Sequence, residues 1–157
     1  MILNMKGSDF IRDNRSPKAK SEAVSRVMSA NKAKNTKPEL ILRKLLSSAS
    51  VRGYRLHPRS ISGRPDIAFT KKKIAIFMNG CYWHHCLKCD LPLPTHNRVF
   101  WEKKFIRNRE RDKEKIDLLR KEGWISVVVW EHEMQKKPSL VIKKVTSLLS
   151  RRTPRSF

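Results

Sequence analysis

Three cysteines within nine positions, Cys81-x4-Cys86-x2-Cys89, follow directly on the apolar run KIAIFM and are the only cysteines in 157 residues. An odd number so closely spaced suits a metal site in a reducing compartment, not a disulfide framework. Zn2+ takes four ligands in a tetrahedron, so three soft ligands need a fourth. His84, His85 and His132 are available. Adjacent histidines make cramped chelates, whereas His132 lies just past the strand-like SVVVWE, where sheet pairing brings it alongside the cluster; His132 is therefore favoured. A structural site of this kind contributes about 10–16 kcal/mol of apparent binding free energy in small domains. The alternative is three incidental buried cysteines. If protein ligands saturate the metal, it is structural, and His84 is left free to act.

Charge narrows the class of partner. Lys and Arg number 36 against 14 Asp and Glu, a formal net charge of +22. Such an excess repels itself in a compact state and favours a polyanion, with nucleic acid first and a ribosomal or membrane-surface role behind it. No apolar run approaches the ~20 residues of a membrane span, and MILNMKGSDF does not read as a secretory signal. A cytoplasmic, nucleoid-associated protein is expected.

A hydrophobic content of 39% supports one core. The expectation is a flexible basic arm (1–20), one domain (21–150) and a basic tail (151–157). A short helix is predicted over 21–30. A second begins at Thr36-x-x-Glu39, a capping-box spacing with Pro38 in the first turn, and stops near Gly53. The segments YRLH, PDIAF and KIAIFM read as consecutive antiparallel strands, with TKKK as a turn. A long helix over 99–122 ends at Gly123 and crosses back over the sheet to WISVVVW, a run apolar enough to be buried on both faces. A last helix runs over 139–149. The order α, α, β, β, β, α, β, α gives an α/β sandwich around a small mixed sheet, without internal repeats.

Two breaks in this pattern carry chemistry. In the long helix Trp101, Phe105, Asn108, Asp112, Ile116 and Leu119 share one face, and an amide and a carboxylate sit in the middle of it. Unpaired burial of either costs kilocalories, so they either turn to solvent and the helix's arginines or reach into a polar site. Asp66 stands at the head of a core-like strand, where an acid is commonly a turn or cap residue. The hairpin through TKKK, however, brings it towards Asn79 and His84. A carboxylate that holds a hard cation, beside a histidine that takes a proton from water, is the minimum needed to cleave a phosphodiester.

GRPDIAF, IAIFMNGCYWHHC, FWEKKFIRNRERD and EGWISVVVWE, in that order, together resemble the Vsr (very-short-patch-repair) DNA mismatch endonucleases. The resemblance runs from about Met28 to Glu131. It implies a restriction-endonuclease-like fold, a central mixed sheet flanked by helices, with a structural Zn2+ site. It implies a monomer that recognises a T·G mismatch in double-stranded DNA and, with Mg2+, nicks 5′ to the mispaired thymine. Other mismatch-repair proteins are further partners it suggests.

Carried over by position, Asp66 is the Mg2+-binding aspartate and His84 the general base, with Glu39 and Asp112 as supporting acids. Glu39 is equally explained by its capping box. Tyr82, Trp83 and Trp101 are the aromatics that wedge into DNA, with burial in the core as their other reading, and Met28 belongs to the arm that inserts from the opposite groove. Two departures stand out. Asn79 occupies a position where the family commonly has a histidine or aspartate, which implies a weaker metal site or one that relies more on backbone carbonyls. Cysteine at 89 and histidine at 132 reverse the order common in relatives, while ligand count and softness are kept. A sequence-specific restriction-type enzyme without mismatch preference, or a zinc-stapled DNA-binding protein that has lost catalysis, are the other expectations.

Overall fold

The computed structural model describes residues 17–30, 32 and 34–152. The expected arm and tail therefore fall largely outside the described residues. Helices α1 (Glu22–Ser29) and α2 (Lys37–Ser48) precede strands β1 (Arg55–Leu56), β2 (Ile67–Phe69) and β3 (Ile74–Asn79). Then come α3 (Arg98–Lys121), β4 (Ile125–Trp130), α4 (Glu131–Lys136) and α5 (Pro138–Arg151).

The four strands lie in the order β1-β2-β3-β4. β1, β2 and β3 are antiparallel neighbours, and β4 joins β3 in parallel. The parallel pair demands a crossover, which α3 supplies. Between β2 and β3 the lysine run forms one 3-10 turn, Thr70–Lys72, closed by Lys73 in the left-handed region. Strand alternation sorts the core into two layers. Leu42 and Leu46 of α2, Met134 of α4 and Val141, Val145 and Leu149 of α5 cover Ile67, Phe69, Ile74, Ile76, Val127 and Val129. On the other face Ala68, Ala75 and Phe77 pack with Ile61 and Leu119 of α3. Small Ala68 and Ala75 let the long helix approach that face closely.

Several expected boundaries move. α2 ends at Ser48, well before Gly53, because Ser50 turns left-handed (φ 56°) and the Val51 N–H closes back on the Leu46 carbonyl. The YRLH strand contracts to two residues, with His57 left-handed (φ 45°). β4 is not buried on both faces: it is the sheet's edge, so Val127 and Val129 are covered while Ser126, Val128 and Trp130 are only half-buried. α4 was not foreseen, and α5 extends through Arg151 into the expected tail.

Candidate active site and metal centre

β2 and β3 bring the first acid to the site. The pairing Ile67↔Ile76 places Asp66 one step beyond the ladder, where its N–H donates to the Ile76 carbonyl (3.0 Å). Its Oδ2 accepts from the Met78 N–H (2.7 Å). Burial pushes the Asp66 carboxyl above the usual carboxylate range, opposed by that N–H, and the negative Glu39 adds to the rise. Glu39, only 3% exposed, accepts from the backbone N–H groups of Asn35 (3.0 Å) and Thr36 (3.3 Å). It thus caps α2 while facing the same cavity as Asp66. His57 stands between the two, with Nδ1 3.5 Å from Asp66 Oδ1 and Nε2 3.2 Å from Glu39 Oε2. Neither contact has hydrogen-bond geometry, and the buried Nε2 is left unsatisfied.

A cavity of about 780 Å³ gathers Glu39, Asp66, Asn79, Trp83, His84 and Glu131. Four catalytic candidates from the sequence, Glu39, Asp66, Asn79 and His84, therefore share one space with Trp83, a DNA-contact candidate. Asp112, on α3, bonds through Oδ2 to Nδ1 of His84. Burial raises the Asp112 carboxyl, but the bond to His84 and the charges of His84 and Lys115 outweigh it and hold the group below the usual range. An ionised carboxylate can only accept, so Nδ1 carries the proton and Nε2 remains for other work. Asn108, one turn earlier, donates from Nδ2 to the Trp83 carbonyl (2.9 Å). The two polar residues in the apolar stripe of α3 thus reach into the loop after β3 instead of turning away from it.

That loop is fixed at its base by parallel pairing. The register Asn79↔Trp130, continued by two residues, sets Cys81 beside His132. Nδ1 of His132 lies 3.2 Å from Cys81 Sγ and 3.6 Å from Cys86 Sγ. Ligand atoms of Cys81, Cys86, Cys89 and His132 all fall within 4.8 Å of one another. Bond lengths of about 2.3 Å to sulfur and 2.0 Å to nitrogen put an S···N tetrahedral edge near ~3.5 Å, so the set fits a tetrahedral metal. Burial pushes the Cys81 thiol up to about 12. At Cys86 burial acts the same way, but the backbone N–H groups of Cys89 and Lys88 together with the side chains of Cys89 and Cys81 outweigh it and lower the thiol. His85 lies apart from this cluster, with its ring against Phe105 at 5.3 Å.

The aromatic candidates form a cluster. Tyr82 meets Trp83 and Trp101 edge-on at 5.1 and 6.0 Å, and Trp83 lies 5.9 Å from Trp101. Lys104 Nζ sits over both tryptophans, at 5.5 and 5.0 Å. Met28 of α1 lines a second cavity, of about 670 Å³, with Tyr82 and Trp101. Trp101 is buried, while Tyr82 and Trp83 are half-buried.

The family model described as DNA mismatch endonuclease Vsr matches residues 16–90. The type II nicking enzyme V.XorIIP of Xanthomonas oryzae is 38% identical over 109 residues, 69% of this chain and 79% of its own length. V.NmeDIP, a type II nicking enzyme of Neisseria meningitidis serogroup C, is 37% identical over 128 residues, 79% of this chain and 84% of its own. The DNA mismatch endonuclease Vsr of Escherichia coli is 31% identical over 125 residues, 80% of each chain. The chain belongs to the Vsr family.

The Vsr match spans Glu39, His57, Asp66, Asn79, His84 and all three cysteines; Asp112, Glu131 and His132 lie beyond it. Among the described residues, no helix of this Vsr-family chain is long and apolar enough to cross a membrane. Sequence reasoning missed two residues of the site. His57 ends the YRLH segment, and its N–H donates to the Asp66 carbonyl (2.9 Å), so pairing of that segment with PDIAF was the available signal. Glu131 follows β4, beside Gly80, and its Oε2 accepts from the Cys81 N–H (3.3 Å). An acid at the end of a strand parallel to β3 was the signal there.

Proposed function

We propose that this Vsr-family chain is a DNA mismatch endonuclease that nicks one strand of a duplex 5′ to the thymine of a T·G mismatch, acting as a monomeric single domain on a restriction-endonuclease-like sheet. The observation that carries the reading is the shared cavity of Asp66, Glu39, Asn79 and His84, with Asp112 bonded to the far nitrogen of the imidazole. Nicking also agrees with the names of the relatives, two of them nicking enzymes and one a mismatch endonuclease.

Asp66 would hold Mg2+, for which carboxylate oxygens are suitable hard ligands, and Glu39 stands close enough to assist. The ion, when bound, supplies Lewis-acid stabilisation of charge developing on the phosphate. His84 takes the proton of the attacking water on Nε2, as Asp112 fixes the tautomer and stabilises the imidazolium. Asn79 contributes an amide where the resemblance implies a charged or basic group, so it orients without taking a proton. Cys81, Cys86, Cys89 and His132 hold Zn2+, which anchors the loop that carries His84 and leaves that histidine out of the ligand set. Tyr82, Trp83 and Trp101 with Met28 engage the unstacked mismatch, since a mispaired step costs less to open.

The test is cleavage of matched and T·G-mismatched duplexes with Mg2+. Single-strand nicks on the mismatched duplex alone are expected. Equal cleavage of both, or double-strand cuts at a fixed sequence, would replace mismatch recognition by restriction-type specificity. Mismatch binding without any cleavage would make the chain a DNA-binding protein that has lost catalysis.

A further inference from the structure

Asp66 also lines a second, smaller cavity of about 270 Å³ whose other walls are Lys34, His57, Arg59 and Arg64. Three cationic side chains thus face one carboxylate beside the reaction centre. Among the described residues none of the three makes an ion pair with an acid, so all three are free for another anion. Both arginines lie on the connection between β1 and β2, which is pinned at its base by the His57 N–H to Asp66 carbonyl bond and closed by the Arg64 N–H to Ile61 carbonyl bond (3.0 Å). Buried Pro58 and Pro65 flank them. Three unpaired cations around one cavity, two from the β1–β2 connection and one from the segment before α2, suit an external anion.

We propose that Lys34, Arg59 and Arg64 form a phosphate subsite that grips the backbone phosphate next to the scissile one on the nicked strand. The proposal rests on the endonuclease reading above. Asp66 lines both cavities, so a strand whose scissile phosphate lies at Asp66 brings a neighbouring phosphate towards these cations. Guanidinium forks suit phosphate oxygens in pairs. The function of such a grip is positional: binding energy from a group that does not react holds the reacting one in line.

The test scans single uncharged methylphosphonate linkages along the nicked strand of a T·G duplex, measuring both binding and nicking with Mg2+. Wild-type protein is compared with the Arg59→Gln/Arg64→Gln variant, whose changes fall on exposed side chains. At one linkage adjacent to the nick, wild type should lose about tenfold or more in binding, the worth of a charge-assisted contact. At that linkage the variant should lose less than about twofold, because the contact is already gone. Its logarithmic salt slope should be shallower by about 0.9 per phosphate released. A wild type indifferent to both neighbouring linkages, or a variant that loses as much as wild type there, overturns the subsite. If the binding pattern appears at one linkage but nothing is nicked, Lys34, Arg59 and Arg64 still grip a backbone phosphate, while the endonuclease reading, and with it the place of that phosphate next to a scissile one, falls.

Discussion

Nδ1 of His84 is bonded to the carboxylate of Asp112, and the pair joins the loop after β3 to the middle of α3. In the proposed mechanism this bond fixes which nitrogen takes the proton of water. His84→Ala should lower the single-turnover nicking rate by about 10²–10⁴-fold, the usual worth of a general base. Asp112→Asn should lower it by a smaller factor, since the imidazole remains but its tautomer is no longer enforced. Affinity for the duplex, dominated by phosphate contacts, should stay nearly constant in both. Quench-flow on a mismatched duplex, with binding measured in parallel, checks this; full activity in His84→Ala would remove His84 from the chemistry.

Asp66 carries a pH signature of its own. Burial raises its carboxyl in the folded state, so folding is favoured by the protonated form and penalised once Asp66 ionises. The penalty is absent below the ordinary carboxylate value and fully present above the raised one. Asp66→Asn keeps an oxygen to accept from the Met78 N–H and removes the buried charge. In metal-free buffer the variant should melt higher than wild type at pH 7, and the gap should close as pH falls towards ~4. The same substitution should abolish nicking, a trade of stability against activity. Thermal melts across pH decide it; a variant less stable than wild type at pH 7 is the contrary result.

One zinc equivalent per chain is expected, held by Cys81, Cys86, Cys89 and His132. Cys86→Ser and His132→Ala should lose the metal and lower the melting temperature, because site binding and folding are coupled. His85→Ala should keep it, as its ring lies against Phe105 away from the thiols. Metal analysis of the purified variants separates these cases. Retention by His132→Ala together with loss by His85→Ala would reassign the fourth ligand.

The nearness of His132 to the cysteine cluster was legible because strand pairing converts sequence offset into proximity: the pairing that ends at Asn79↔Trp130 leaves Cys81 and His132 two residues beyond it. The stripe on α3 was legible for a similar reason, since helical period alone aligns Asn108 and Asp112 with Trp101 and Phe105. His57 was not, because its place depends on a left-handed residue that ends β1 early, and a single positive φ leaves no periodic trace. Glu131 was not legible either, because the apolar run before it reads as an interior strand, and only the parallel pairing with β3 turns the acid at its end towards the site. α4 has six residues, too few for a 3.6 period to register. Its burial of Met134 against the sheet is a tertiary effect.

The aromatic cluster yields a prediction that separates recognition from packing. Trp101 is 6% exposed, so its truncation would cost about 3–5 kcal/mol of stability and confuse any reading of binding. Trp83 is half-buried, lines the active-site cavity and lies under Lys104, which makes it the cleaner probe. If it stacks on a base at the opened mismatch, Trp83→Ala should lose about 1–3 kcal/mol of affinity for the T·G duplex, the usual worth of one aromatic platform. Matched duplex, bound through charge, should be affected little. Mismatch selectivity then falls while the salt slope is preserved, which competition binding at two ionic strengths can read. Equal losses on matched and mismatched DNA would instead assign Trp83 to packing alone, since a core defect has no means of telling the two duplexes apart.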